Sequence, residues 1–257
     1  MVLEGLGVPR YSSERSNRLY DDHMKVSLLI LKQYLDVSYM ELCSMLSSLR
    51  FWRKDRVPDH STLVKFSKRF GTGILDKVLR YTALMVCGDG MTAAVDSTGF
   101  TCSCASRHFV KRLRETGGET AYVNVAVRGF AKASVAVDTS SKVILACDCV
   151  DSNHADVKRF TFLADDLAEG GFSIRYLVAD KGYDAEYVHR EITDRLGTDA
   201  MIPLRNMAEP SSNGRVKARG FDRAVYNSRS QVEATDSMVK RKAGDVVYGR
   251  TKAARHR

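Results

Sequence analysis

A chain of 257 residues with 44% hydrophobic side chains can bury a substantial core and fold as one domain or two, and its formal net charge of +9 suits a polyanionic partner such as nucleic acid. The longest apolar stretch, around Val26 to Leu31, is far too short to span a bilayer, and nothing resembles a signal peptide. Six cysteines in such a chain point to reduced thiols over a disulfide framework, so the expected setting is the cytoplasm, not a membrane.

The first predicted elements are helices. Residues from about Asp21 to Leu35 set Met24, Leu28, Leu31 and Leu35 on one face. Ser38-Tyr39-Met40-Glu41 reads as a capping box that opens a second helix through Leu42, Met45, Leu46 and Leu49. A basic turn from Arg50 to Arg56 follows. Val57 to Thr62, in which His60-Ser61 reads as a helix start and not a catalytic dyad, leads into a third helix that turns Leu63 and Phe66 inward and stops near Gly71. A fourth runs from about Ile74 to Val86. Short helices joined by a basic connection fit a helix-turn-helix-like DNA-binding module, and they fit a plain helical bundle nearly as well.

From Ala93 the pattern changes to strands. The apolar run Thr92 to Val95 ends at Asp96. Phe130 to Asp138 alternates, Thr139-Ser140-Ser141 forms a polar turn and Lys142 to Val150 returns, which is a hairpin. A helix from about Ala155 to Ala168 precedes a second apolar run, Tyr176 to Ala179, which ends at Asp180 before Lys181-Gly182-Tyr183. Then come a helix from Ala185 to Leu196, a strand from Ala200 to Leu204, a polar loop from Pro210 to Gly220 and a last helix carrying Glu233. An antiparallel start, a parallel continuation and flanking helices describe an α/β fold: a ribonuclease H-like mixed sheet flanked by helices, preceded by a small all-helical N-terminal domain.

Asp96 and Asp180 stand where α/β sheets put their working groups, at the carboxyl ends of strands. A carboxylate near a core is costly unless it is paired or binds a metal, so two such acids suggest a cation, although either one alone fits an N-cap or a turn. Tyr226, Arg229, Glu233 and Lys240 are spaced i, i+3, i+7 and i+14, within an arc of roughly 60° on one helix. Val225, Val232, Val239 and Ala243 lie beside that arc, so one stripe can face a core and its neighbour a polar cleft. A solvated face with an Arg229–Glu233 salt bridge has the same spacing. Cys102 with Cys104 and Cys147 with Cys149 form C-x-C pairs, which read as small thiols in strands more readily than as zinc ligands.

With these residues in place the chain resembles the DDE insertion-sequence transposases of bacteria and archaea whose third motif is Y-x2-R-x3-E-x6-K. Tyr226, Arg229, Glu233 and Lys240 match that motif at all four fixed positions, and Ala179-Asp180-Lys181-Gly182-Tyr183-Asp184 and Met201-Ile202-Pro203-Leu204-Arg205 are similar to the family's second motif and the strand after it. The resemblance implies a transposase that cuts transposon ends and joins the released 3′-hydroxyl to target DNA. It implies two Mg2+ ions, with Mn2+ as a substitute, held by Asp96, Asp180 and Glu233, with Asp96 bridging. Tyr226, Arg229 and Lys240 would hold the DNA end. The implied partners are double-stranded DNA, as terminal inverted repeats and target, and further copies of the chain in a homodimer or higher oligomer; the implied location is cytoplasmic and nucleoid-associated. The expected division is a helical DNA-binding region at 1–90, a catalytic domain at 91–245 and a basic tail at 246–257. That tail follows soon after Lys240, with Arg241, Lys242, Arg250, Lys252, Arg255 and Arg257 against Asp245, and reads as truncated. Asp236 departs from the apolar or aromatic residue the family tends to carry there. Both departures leave a second reading, a remnant that binds DNA without catalysis. A ribonuclease H-like nuclease with no joining step also fits the acids, but leaves Tyr226, Arg229 and Lys240 unused.

Overall fold

Capping chemistry starts the amino-terminal helices where the sequence places it. In the computed structural model, which describes residues 2–12, 18–49, 57–102, 130–150, 155–205 and 220–247, a short helix α1 (Val2–Gly5) is followed by α2 (Asp22–Leu35), α3 (Tyr39–Ser48), α4 (His60–Arg69) and α5 (Thr72–Leu84). Asp21 accepts from the Met24 amide at 2.6 Å, and the Ser38–Glu41 box closes in both directions. Asp59 accepts from the Ser61 amide at 2.8 Å, which makes His60-Ser61 a helix start. The basic turn 50–56, Cys104, the loop with His154, most of the 210–220 loop and the tail beyond 247 lie outside the described residues.

Contacts divide the chain into two compact units, Met1–Val78 and Leu79–Arg257, so the boundary falls inside α5. In the first unit α2 is covered on two sides, because Val26 and Leu28 lie about 200° apart around it. Leu28 packs with Leu42, Leu46 and Leu63, and Val26 with Leu3, Phe66 and Phe70. The predicted stripes are wider than the faces actually buried: Leu35, Met45 and Leu49 are exposed.

The second unit is built on a mixed sheet: β1 (Met91–Cys102), β2 (Phe130–Asp138), β3 (Ile144–Val150), β4 (Ile174–Ala179) and β5 (Asp199–Met201), in the order β3-β2-β1-β4-β5. The first three strands are antiparallel, and β4 and β5 continue in parallel. This is the ribonuclease H-like arrangement expected from the strand pattern. Helix α6 (Asp156–Gly170) puts Phe160, Leu163, Ala164 and Leu167 against one face of the sheet. Arg80 near the end of α5 is fixed to Asp166 and Glu169 of α6. The other face carries a smaller cluster of Ala94, Val135, Val137, Val178, Met201 and Val232.

Several elements differ from the sequence pattern. The strand expected to end at Asp96 runs on to Cys102, because β2 pairs with it as far as Thr101. The helix expected over 185–196 is α7 (Glu186–Arg190) continued by a wider π turn, Glu191–Arg195. The final helix is two pieces, α8 (Arg223–Asn227) and α9 (Ser230–Ala243). Between them the amides of Ser228, Arg229, Gln231 and Val232 bond three residues back instead of four. Past α9, Val246–Val247 form β6, parallel to Thr101–Cys102 of β1. Cys147 and Cys149, on one side of β3, have their sulphurs 3.6 Å apart. Among the described residues no helix is long and apolar enough to cross a membrane.

Candidate active site

Strand pairing creates a notch. The β1–β4 ladder ends at Val95↔Ala179, and β6 rejoins β1 only at Thr101. Since β2 takes the opposite edge of β1 throughout, residues 96–100 have no strand partner on the β4 side among the described residues. Asp96 and Asp180 are the next residues after the last paired positions, so the register sets the two carboxylates side by side at the head of this notch. Alternation along β1 turns Asp96 to the face of Ala94, which is the face α9 covers through Val232.

The backbone fixes Asp180 closely. Its side chain caps the 3-10 turn Lys181–Tyr183, with Oδ1 accepting from the Gly182 amide at 2.6 Å. A Cβ on residue 182 would come within 2.7 Å of that oxygen, so any residue but glycine there must displace the Asp180 carboxylate. Tyr183 roots the turn in the core, edge-on to Phe160, and burial drives its phenol pKa upward, with the charges of Asp156, Asp96 and Asp180 adding to the rise. Behind the turn, the Asp184 side chain is buried between His189 Nε2 at 3.1 Å and the Arg205 amide at 2.7 Å, which ties the loop to the segment after β5. Asp184 and His189 are scaffold residues that spacing alone did not single out.

Glu233 reaches the notch from α9. Arg229 Nη1 donates to Asp96 Oδ2 at 2.9 Å, and Nη2 donates to Glu233 Oε1 at 2.7 Å. One guanidinium therefore spans acids from two segments, with the Ser97 amide on the remaining Asp96 oxygen at 2.8 Å. The Arg229–Glu233 i, i+4 pair does form, as the solvated-face reading required, but the same guanidinium also engages a largely buried strand carboxylate. Tyr226 stands on α8, across the tightened turn from α9, near enough to act electrostatically on Arg229; its ring packs on Phe221, centroids 5.3 Å apart. Lys240 lies over the Phe100 ring at 5.3 Å, at the far end of the notch. Of the predicted apolar stripe, Val232 is fully buried and Val225 packs beside it, whereas Ala243 is exposed.

Negative charge is in surplus here. Burial raises the Asp96 pKa, and the charges of Asp180 and Glu233 push it further against the pull of the Ser97 amide and Arg229. Asp236, one turn past Glu233, is half-buried and raised to about 6 by burial, then by Asp96 and Glu233, with Lys240 opposing. This fourth acid belongs to the same electrostatic cluster; its i+3 relation to Glu233 was the available signal. Among the described residues no three His, Cys, Asp or Glu side chains are gathered to hold one ion as they stand. Arg229 occupies the space between two of them. The donor chemistry nonetheless fits a hard divalent cation, since carboxylates predominate and a cationic group already bonds to two of them.

The family model described as "Transposase DDE domain" matches residues 88–256. The chain belongs to the transposase DDE domain family. An uncharacterized protein of Aquifex aeolicus (strain VF5) is 24% identical over 247 residues, covering 92% of this chain and 73% of that protein. Among solved structures, a piggyBac transposase synaptic complex with hairpin DNA aligns with a TM-score of 0.44 at 10% identity, covering 99% of this chain and 68% of that one. A Mos1 transposase paired-end complex with left transposon end aligns with a TM-score of 0.29 at 9% identity, covering 92% and 82%. This transposase thus carries the acids Asp96, Asp180 and Glu233 in a domain whose family generally uses divalent metal ions.

Proposed function

We propose that this transposase cuts the ends of its transposon and joins the freed 3′-hydroxyl to target DNA at a centre made by Asp96, Asp180 and Glu233. One observation carries the reading: Asp96 and Asp180 follow the last pair of a parallel ladder, and a single guanidinium bonds both Asp96 and Glu233. Acids from three distant segments thus border one notch, which supports the reading. Two Mg2+ ions, or Mn2+ in their place, would supply an activated oxygen nucleophile and stabilise charge on the phosphate and leaving oxygen. Asp96, between the other two acids, suits the shared ligand, with Asp180 and Glu233 each holding one ion. Tyr226, Arg229 and Lys240 would orient the DNA end through its phosphates, and the exposed Lys65, Lys68 and Arg69 of α4 would add grip on duplex DNA. Strand transfer at paired ends calls for at least two copies of the chain, acting in the nucleoid.

The DNA-binding remnant is the competing reading, and Asp236 favours it, because a fourth half-buried acid adds repulsion beside Glu233. Against it, α9 is held by Val232 in the core, by Lys240 on Phe100 and by the Thr101 amide on the Asp245 carbonyl at 2.9 Å. The two separate when labelled terminal-repeat duplex is incubated with protein and Mg2+ or Mn2+. Nicking and joining by the wild type, lost in Asp180→Ala, supports the transposase. Equal nicking by both proteins refutes the assigned site, and binding in a gel shift with no nicking by either establishes the remnant.

A further inference from the structure

Arg229 makes a contact that a plain DNA-end residue has no need of. Its fork lies between Asp96 and Glu233, residues 133 and 4 positions away, and both bonds run at the short distances of charge-assisted pairs. The guanidinium and Asp96 are each about three-quarters buried, so the pair is only weakly screened by solvent. With Arg229 in place, no three acids among the described residues are arranged to receive an ion.

We infer that Arg229 is a positioning residue that stands in for a divalent ion in the metal-free protein and leaves that place when metal binds. This inference rests on the reading of Asp96, Asp180 and Glu233 as the metal site. While Arg229 bridges, Asp96 and Glu233 are both bonded to the guanidinium. Once it withdraws, the two carboxylates are free to turn toward Asp180, and the guanidinium needs a new anionic partner. A DNA phosphate at the same notch supplies one. Metal and DNA end then favour each other's binding through a single side chain.

The test is Mn2+ affinity of the full chain, by calorimetry or by the electron paramagnetic resonance of free Mn2+, with and without terminal-repeat duplex. Arg229→Met in the absence of DNA is expected to bind Mn2+ more tightly than wild type by on the order of tenfold, the worth of a charge-assisted bond lost on loading. Lys240→Met removes the same charge from the same helix without touching the bridge, and is expected to gain far less. Duplex should tighten Mn2+ binding to wild type, and that gain should vanish in Arg229→Met. In thermal melts, Arg229→Met should fall below wild type in EDTA and recover more of its loss in Mg2+. Equal affinities of wild type and Arg229→Met, or a gain matched by Lys240→Met, overturns the inference while Asp180-dependent Mn2+ binding keeps the site reading intact. Absence of Mn2+ binding from every variant overturns both.

Discussion

The notch is built by two regions of different character. On the sheet side, Asp96 and Asp180 are set by backbone: a parallel ladder ends just before them, a 3-10 turn closes on Asp180, and Tyr183 and Asp184 pin that turn in the core. On the helix side, Glu233 is the most exposed of the acids, with 57% of its side chain open to solvent, and it is held by Arg229 and by the seating of α9. The backbone beneath the sheet acids cannot move without disturbing the fold, whereas that beneath Glu233 can. A centre that must admit metal and DNA in turn benefits from one adjustable wall, and the difference predicts where substitutions act on chemistry and where on stability.

The largest effect is expected on the fixed wall. In Gly182→Ala the new methyl meets Asp180 Oδ1 at 2.7 Å, so the carboxylate must rotate off the amide that holds it. A displacement near 1 Å at a reacting centre costs on the order of 100-fold in rate. Strand-transfer rates should fall by about that factor while the melting temperature stays close to wild type, because the turn remains rooted by Tyr183. Full activity in Gly182→Ala would show that Asp180 need not be held.

Seating of the adjustable wall gives the next effect. Val232 is fully buried against Val178 and Met201, and losing two buried methyls to Val232→Ala should destabilise by about 2 kcal/mol. Val178→Ala, on β4 in the same cluster, should cost a similar amount in denaturant melts. The two part company in hydrogen exchange: Val232→Ala should speed exchange across α9 and lower activity, whereas Val178→Ala should leave α9 protected. Identical α9 exchange in the two variants would mean that Val232 does not seat the helix.

How much of this was legible follows the same division. Local rules carried the capping box at Ser38, the Asp59 cap and the hairpin, since each depends on residues a few positions apart. The apolar run before Asp96 located the acid but not the end of the strand, because β2 extends β1 through contacts far away in sequence. Periodicity put Arg229 and Glu233 on one face, yet it could not reveal the bond from Arg229 to Asp96 across 133 residues. It also assumed one helix where three-residue bonds tighten the turn between α8 and α9. The start of the tail, read as basic and truncated, pairs with β1 through β6, a partner only the folded sheet provides.

Asp236 gives the smallest effect and the most direct probe of charge at the adjustable wall. Its pKa is raised to about 6, first by burial and then by Asp96 and Glu233. A raised carboxylate favours folding when protonated, so its contribution is fully present below its ordinary pKa near 3.8 and is lost as pH climbs through about 6. At pH 8 in EDTA the charged Asp236 therefore opposes folding, and Asp236→Asn should be the more stable protein. The full shift corresponds to roughly 3 kcal/mol, which partial exposure to solvent reduces to about 1 kcal/mol. The gain should shrink toward zero at pH 4.5, where wild-type Asp236 is itself protonated. Mg2+ should narrow it at pH 8, because cations beside Asp96 and Glu233 relieve the same repulsion. A gain that is equal at both pH values would assign it to helix propensity or packing, and would remove Asp236 from the charge balance of the notch.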